Sequence, residues 1–321
     1  MISAKFTAVL FTLSLSFLVQ AATSGQDMIS PIHPKAIYGE DDRIESYLHS
    51  NPGLVEISKS VAGQVHYRAL TPDPTNPQML DFDRYVFSEE FSLCPNQPFE
   101  SQNMFMGCSG VLVGPDLLLT ASHCVTEEAD CQNLRWVFDF TNEREQIAAE
   151  NVFSCKEVIA SSYQNDLKKH LDYALIKLDR PAIGKRVVNY RKSGQILPNT
   201  EVAVIGHPSG LPLKIADNGK VALLTKTDIP LNAKELVKSI MHDRYVFKTN
   251  VDAFEGNSGS PVINMRTLEL EGILIEGAED FEMVDLYGDG STFCRKVTRL
   301  KDSLWYAEEM VQRITAIKEL Q

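Results

Sequence analysis

Residues 108–124 read CSGVLVGPDLLLTASHC and contain two short apolar runs separated by Gly-Pro-Asp. Runs rich in Val and Leu on either side of turn-forming residues predict two strands joined by a turn. His123 comes directly after the second run, and Cys108 and Cys124 bracket the whole segment. A disulfide between these cysteines would close the strand-turn-strand loop and hold the histidine at its end.

The same strand pattern continues along the chain on both sides of this segment. Between about residues 55 and 300, short runs rich in Val, Ile, Leu and Phe alternate with Gly, Pro, Asn and Asp, as in RWVFDF, DYALIKL and EVAVIG. Many short strands separated by turn residues predict an all-β barrel or sandwich. The gap in strand signal at residues 181–200, with a proline near each end, predicts a connection between two β units.

The end of the chain has a different pattern. In residues 302–320, apolar side chains recur at three- and four-residue steps, at Leu304, Ala307, Met310, Val311, Ile314 and Ile317. This spacing, with Asp302 as an N-cap, predicts an amphipathic C-terminal α-helix. Its polar face is mixed in charge, which favours packing against a barrel over binding to a membrane.

The N-terminus has the pattern of an export signal. Residues 1–21 carry an early lysine, an apolar run and small residues before the expected cleavage after Ala21. The apolar run is shorter than the roughly 20 residues that span a bilayer, and no later run approaches that length. The polar segment 22–35 is typical of a leader or propeptide. The mature protein is therefore expected to be secreted or periplasmic, with no membrane span.

Charge and cysteine content narrow the class of protein further. The formal net charge of −12 disfavours a nucleic-acid partner, which would require a basic face. An even number of cysteines in an exported chain predicts three disulfides. Because there is no CxxC pair and the histidines are scattered, we expect no metal site. Spacing alone leaves the pairing open among Cys94, Cys108, Cys124, Cys131, Cys155 and Cys294.

Two further segments contain candidate catalytic side chains. In HLDYALIKLDRP, residues 170–181, Asp172 precedes an apolar run that would draw its carboxylate toward the core, where it needs a partner such as an imidazole N–H. The alternatives are an aspartate that caps a turn and an ion pair with a nearby lysine. In EGNSGSPV, residues 255–262, Ser258 lies among turn formers, and this stretch alone is typical of an ordinary turn.

Taken in order, the three segments resemble the histidine, aspartate and serine motifs of the trypsin-like (chymotrypsin-fold) serine peptidases. The resemblance implies an all-β fold of two packed antiparallel β-barrels, residues 36–182 and 183–321, with the active site in the cleft between them. The separations, 49 residues from His123 to Asp172 and 86 from Asp172 to Ser258, suit a fold that takes the first two residues from one barrel and the third from the next.

The resemblance also implies a role for each residue. Ser258 would attack a peptide carbonyl, His123 would take and return the proton, and Asp172 would orient the imidazole. The backbone N–H groups of Gly256 and Ser258 would form the oxyanion hole. The expected partners are protein or peptide substrates of a monomeric enzyme. The expected disulfides are Cys108–Cys124, Cys131–Cys155 and Cys94–Cys294.

Within the family, GNSGSPV is similar to the motif of the largely bacterial glutamyl-endopeptidase branch. Asn257 stands where digestive zymogens carry the aspartate that pairs with a new N-terminus, so activation must work differently here. The segment AIYGEDDR, residues 36–43, resembles the mature N-terminus of that branch, which implies removal of residues up to about Lys35.

The segment that would select the substrate departs from this branch. GILIEG, residues 272–277, has Leu274 where the branch carries a carboxylate-binding histidine, so a Glu-selective pocket is disfavoured. Asp252 and Glu276 could instead attract Arg or Lys of a substrate. The alternative is that Asp252 pairs internally and Glu276 faces solvent. The rival function is a catalytically silent homologue that acts as a binding protein, because Ile275 and Glu276 depart from the usual substrate-binding strand.

Overall fold

The computed structural model describes residues 36–126, 128–165, 169–222, 244–302 and 307–321, all within the unit His33–Gln321. The predicted signal peptide, residues 1–21, and the leader, residues 22–35, lie outside the described residues.

The described residues are mainly β, which confirms the fold class expected from the short apolar runs. The strands are β1 (Ile37–Tyr38), β2 (Arg43–Glu45), β3 (Val61–His66), β4 (Leu70–Pro72), β5 (Met79–Phe82), β6 (Tyr85–Val86), β7 (Asn103–Met104), β8 (Ser109–Gly114), β9 (Leu117–Thr120), β10 (Leu134–Phe138), β11 (Ile147–Ala148), β12 (Val152–Asn165), β13 (His170–Leu178), β14 (Glu201–Gly206), β15 (Lys214–Lys220), β16 (Val246–Thr249), β17 (Pro261–Asn264), β18 (Leu270–Glu276), β19 (Phe281–Asp285), β20 (Phe293–Val297), β21 (Arg299–Leu300) and β22 (Glu309–Arg313). The short α-helices are α1 (Pro52–Ser58), α2 (Phe87–Glu90) and α3 (Glu128–Asn133).

Six antiparallel strands close the first barrel, in the order β10-β12-β13-β9-β8-β3. The segment 108–124 supplies β8 and β9, which pair as the hairpin expected from their apolar runs. Residues of β8 are buried throughout, and Trp136 and Phe138 of β10 are buried in the same core. Closure of the barrel removes the exposed strand edges that such apolar strands would otherwise present.

The second β unit is a seven-stranded antiparallel sheet in the order β16-β22-β18-β17-β14-β15-β2. Its own apolar core includes Val204, Phe247 and Val311. Val221, directly after β15, bridges Thr249 of β16, so the sheet curls back toward itself as a half-barrel. Strands β13 and β22 contact each other across the boundary between the two β units.

Two additions to the barrels lie close together in space. Residues 67–104 separate β3 from β8 and form β4, β5, the β6–β7 pair and α2. The hairpin β19–β20 follows β18. The Cys94–Cys294 disulfide, with Cα atoms 4.9 Å apart, joins the first addition to this hairpin.

The prediction of a C-terminal α-helix over residues 302–320 is wrong. Residues 303–306 lie outside the described residues, and the segment after them forms β22 followed by two 3-10 turns, Ile314–Ala316 and Lys318–Leu320. Strand β22 pairs with both β16 and β18, and Val311 is fully buried in the second core. Pairing with distant strands therefore outweighs the local helical spacing.

The expected boundary between the two β units also needs correction at the N-terminus. Residues 36–182 were expected to form the first barrel, but β2 pairs with β15 at the edge of the second sheet. Strand β1 pairs in parallel with β21, which follows the β19–β20 hairpin. The first ten described residues therefore pack with the C-terminal half of the chain, whereas the predicted connection at 181–200 does lie between β13 and β14.

Candidate active site

His123 lies in a 3-10 turn, Ser122–Cys124, at the end of β9. The Cys108–Cys124 disulfide joins this turn to the residue that precedes β8. The side chain of His123 is about one-third exposed, and its Nδ1 lies 2.6 Å from Oδ2 of Asp172. Because an ionised carboxylate can only accept, Nδ1–H donates to Asp172 and Nε2 is left as the acceptor.

Asp172 is the third residue of β13 and is almost fully buried. Its Oδ1 accepts backbone N–H groups from Ser122 at 2.6 Å and from His123 at 3.1 Å. Its own N–H donates to Oε1 of Gln312 on β22, at 3.0 Å. Three donors to one carboxylate offset the cost of burying it. They favour the histidine partner over the turn-cap and lysine alternatives.

Ser258 lies in a tight turn whose backbone is bonded both internally and to the first barrel. Asn257 N–H donates to Phe254 O at 3.0 Å, and Ser260 N–H donates to Asn257 O at 2.8 Å. Ser109 N–H donates to Ser258 O at 2.8 Å, and Sγ of Cys124 lies 3.8 Å from the same oxygen. The serine backbone is thereby held against the disulfide that carries the histidine turn.

Gly256 has a backbone conformation that requires glycine. Its φ is +88°, and a Cβ there would lie 2.5 Å from His207 O. The hydroxyl of Ser109 donates to Gly256 O at 2.9 Å and thus sets the direction of this carbonyl. Among the described residues, the N–H of Gly256 has no hydrogen-bond acceptor, so it is available to a bound oxyanion.

The loop 207–210 supports the turn and had no role assigned from the sequence. His207 is fully buried, its backbone N–H donates to Ser109 Oγ at 3.0 Å, and its Nδ1 lies 2.9 Å from Leu211 O. Ser209 N–H donates to Glu255 O, next to Gly256. Burial lowers the pKa of His207 to about 4, so the ring stays neutral at physiological pH.

The structure gives Asp252 and Glu276 separate surroundings. Asp252 is buried, and its two carboxylate oxygens accept N–H groups of Tyr38 and Asp42, each at 2.7 Å. Burial raises its pKa to about 7. Glu276, at the end of β18, is half-buried with Oε1 3.6 Å from Nε2 of His170. The contacts of Asp252 match the internal pairing that was the alternative to a substrate role.

Acidic side chains cluster on three segments that bond to one another beside Ser258. Glu255 N–H donates to Asp280 Oδ2 at 2.8 Å, and Ala278 N–H donates to Glu309 Oε1 at 3.2 Å. The acidic cluster comprises Glu276, Glu308 and Glu309, which all lie near Lys248, and Glu309 is fully buried. Lys248 lies close to several of these acids, and burial lowers its pKa. Acids therefore outnumber the one nearby lysine.

Three disulfides join the pairs expected from the family resemblance: Cys94–Cys294, Cys108–Cys124 and Cys131–Cys155. Cys108, Cys124 and His123 lie close enough to hold a metal ion. Because both sulfurs belong to a disulfide, no thiolate is available at this place as a ligand. None of the helices in the described ranges is long and apolar enough to cross a membrane.

The chain matches one family model, described as a trypsin-like peptidase domain, over residues 108–273. It is 27% identical over 161 residues to secreted RxLR effector protein 73 of Plasmopara viticola. That match covers 49% of this chain and 38% of the relative, so the chain spans well under half of the relative's length.

Two solved structures are similar at low identity. One is the inactive form of the Ser343Ala mutant of Rv3671c from M. tuberculosis H37Rv, with 13% identity, coverage of 87% of this chain and 91% of that chain, and a TM-score of 0.44. The other is a Glu endopeptidase in complex with MPD, with 18% identity, coverage of 82% and 94%, and a TM-score of 0.44. These values are too low to support an argument about function.

Proposed function

The chain belongs to the trypsin-like serine peptidases, and we propose that it is an exported endopeptidase that cleaves peptide bonds after basic residues. The single observation that carries the proposal is the buried Asp172 with its Oδ2 2.6 Å from Nδ1 of His123, beside the disulfide against which the Ser258 backbone is held. This arrangement supplies an oriented base next to a serine in a turn.

In the first half of the reaction, Ser258 Oγ forms a bond to the peptide carbonyl carbon while His123 Nε2 takes the hydroxyl proton. Asp172 accepts from Nδ1 and stabilises the imidazolium. The oxyanion receives hydrogen bonds from the N–H groups of Gly256 and Ser258, and each such donor contributes about 3–4 kcal/mol to the lowering of the barrier. The C–N bond then breaks, and His123 gives the proton to the leaving amine.

In the second half, water replaces the amine. His123 takes one proton from the water as its oxygen bonds to the acyl carbon, and Ser258 Oγ leaves with a proton returned by the imidazole. The products are a free carboxylate and the regenerated serine. Each of these steps requires only side-chain and backbone groups of this chain and water, so the proposal includes no cofactor.

The preference for basic residues rests on the acidic cluster of Glu276, Glu308 and Glu309 around Lys248. A substrate Arg or Lys beside these carboxylates would gain from their summed field, although Lys248 and His170 offset part of it. We do not include Asp252 in this pocket, because backbone amides already bind both of its oxygens. Residue preference thus rests on Glu276 and its neighbours.

Export rests on the signal-like residues 1–21 and on the disulfides. Three disulfides favour an oxidising compartment such as the periplasm or the extracellular space. Removal of residues up to about Lys35 before activity remains part of the proposal.

The test of catalysis is labelling with a fluorophosphonate probe together with hydrolysis of casein. Wild type should label and hydrolyse, and Ser258→Ala should lose both. Ser260→Ala, in the same turn, should keep the label, because Ser260 is fully buried and is not the nucleophile. Hydrolysis that survives in Ser258→Ala would refute the mechanism.

The rival function is a binding protein without catalysis. One observation favours it: the similar Plasmopara viticola protein is named a secreted effector. A silent homologue would stay unlabelled by the fluorophosphonate although correctly folded, so the same experiment separates the two functions.

Glu276→Gln tests the preference for basic residues. We expect the ratio of kcat/KM for Arg over Leu substrates to fall roughly two- to fivefold, the effect of one partly exposed charge. The matched control is Glu282→Gln, an exposed acid on β19, which should leave the ratio unchanged. An unchanged ratio in both variants would show that Glu276 does not contact the substrate side chain.

A further inference from the structure

We propose that a cavity of about 340 Å³ on the first barrel binds a large apolar side chain of the substrate on the leaving-group side of the cleaved bond. The inference rests on the proposed endopeptidase function and names a second determinant of its specificity. The cavity is lined by residues of β3 and β10 together with Tyr85, Glu90 and Met104 of the 67–104 addition.

The chemistry of the walls selects an apolar occupant. Val65, Phe105 and Met106 are buried, Leu134 and Met104 are half-buried, and all five line the cavity. Two methionines give a wall that can adapt to occupants of different shape. Among the described residues that line it, none is Lys or Arg, and the exposed rim carries the acid Glu90. An acidic substrate side chain is therefore disfavoured.

The apolar wall is bonded to the loop that supports the oxyanion turn. Phe105 N–H and Met106 N–H both donate to Gly210 O, at 3.1 and 3.3 Å. A Cβ on Gly210 would lie 2.5 Å from Met106 O, and a Cβ on Gly256 would lie 3.0 Å from Gly210 N. Met106, Gly210 and Gly256 are thus successive neighbours, which places the cavity wall beside the oxyanion turn.

A second set of contacts joins the cavity to the histidine turn. Gln64, which lines the cavity, donates from its side-chain nitrogen to Cys124 O at 2.7 Å and from its backbone N–H to Cys108 O at 2.8 Å. Gly107, another lining residue, directly precedes Cys108. The cavity therefore opens next to the disulfide that carries His123.

The direction of the substrate follows from the proton transfers. His123 gives its proton to the leaving amine, so the chain that follows the cleaved bond starts at the histidine turn and passes the Cys108–Cys124 disulfide. The acyl half remains on Ser258, and the acidic cluster that would bind it belongs to the second β unit. An extended peptide advances about 3.3 Å per residue, and the cavity wall lies beside the disulfide that carries His123, so we assign the cavity to the second or third leaving-group residue.

The experiment compares two kinds of substrate with the same acyl part ending in Arg. The short one is a p-nitroanilide, whose leaving group contains no amino acid. The long ones are internally quenched peptides in which each of the first three leaving-group positions is set in turn to Phe, Leu, Ala or Glu. At the second or third position we expect kcat/KM for Phe or Leu to exceed that for Ala by about ten- to 100-fold, the range for burial of an apolar side chain.

Leu134→Trp fills the cavity, and Leu197→Trp is the matched control at a side chain that is 72% exposed outside it. Leu134→Trp should abolish the preference for Phe and Leu while p-nitroanilide turnover stays within about twofold of wild type. Leu197→Trp should retain the preference. Thermal melting of both variants shows that each is folded. A second variant, Tyr85→Ala, removes the rim and should reduce the same preference.

The outcomes distinguish this proposal from the one on which it rests. If the enzyme cleaves the p-nitroanilide and also cleaves peptides with Phe, Ala and Glu at equal rates, the cavity assignment is wrong. The peptidase function would still hold in that case. A preference that persists in folded Leu134→Trp would overturn it as well. If wild type turns over neither substrate, the peptidase function fails and the cavity assignment fails with it.

Discussion

Asp172 and Asp252 are both almost fully buried, at 3% and 2% exposure, yet they lie in regions with different partners. Asp172 binds an imidazole with one oxygen and two backbone amides with the other. Asp252 binds backbone amides alone, from the segment that contains β1. A buried carboxylate can thus gain a chemical role from a titratable partner that is itself partly exposed, whereas amides alone make it a structural anchor.

Among the four changes, Asp172→Asn should have the largest effect, which is a loss of kcat. An amide favours the wrong imidazole tautomer, and in the measured family case this change lowers kcat about 10⁴-fold while the geometry persists. The measurement is kcat on the Arg p-nitroanilide, with thermal melting as the check of folding. The matched control, Asp252→Asn, should change kcat/KM less than about tenfold, equally for Arg, Lys and Glu substrates. A selective loss of kcat/KM for Arg and Lys substrates in the control would show that Asp252 belongs to the substrate pocket.

Asp252 should be visible instead in the pH dependence of stability. Burial raises its pKa from 3.8 to about 7, so between these values the folded chain holds a proton that the unfolded chain has released. The contribution of Asp252 to the free energy of unfolding therefore falls as pH rises through this window, by up to about 4 kcal/mol. Asp252→Asn should lack this slope in urea unfolding at pH 4.5 and 7.5. Asp83→Asn, at an exposed aspartate, should keep it; equal slopes in both variants would contradict the assignment.

His207 should give a slope of opposite sign. Burial lowers its pKa from 6.5 to about 4, so between these values the unfolded chain binds a proton that the folded chain does not. The contribution of His207 to the free energy of unfolding therefore rises with pH through this window, by about 3 kcal/mol, and this contribution is lost as the solution is acidified. His207→Phe, measured by the same urea series, should remove the slope, whereas His66→Phe at an exposed position should retain it.

Gln312→Leu should have the smallest effect of the four. The change keeps the volume but leaves the buried N–H of Asp172 without its acceptor, at a cost of about 1–3 kcal/mol in the free energy of unfolding. As a positioning residue, Gln312 should affect kcat more than KM. Gln132→Leu, at an exposed glutamine, is the control. An unaltered kcat in Gln312→Leu would show that the β13–β22 contact is structural only.

Local sequence patterns were sufficient to predict much of the first barrel. The two apolar runs of residues 108–124 became β8 and β9 because short apolar runs and the turn residues between them act over a few positions. The serine turn was readable for a similar reason, since glycine is required where φ is +88° at Gly256. Both features depend on neighbours in sequence.

The same reasoning failed where contacts are distant. Residues 309–313 belong to a segment with helical spacing, and their pairing with β16 and β18 decided for a strand. The 67–104 addition, whose walls complete the cavity, carries only short strands of two to four residues, too short for a clear periodic signal.

By itself, the sequence determined the strand-rich character of the chain, the bracketed histidine and the order of the three motifs, because these depend on side chains within a few positions of one another. Only the tertiary structure decided which buried acid pairs with the imidazole and which with backbone amides. The amide of Tyr38 lies 214 positions from Asp252, and Gln312 lies 140 positions from Asp172. Such partners are selected by barrel closure and packing, which no local pattern encodes.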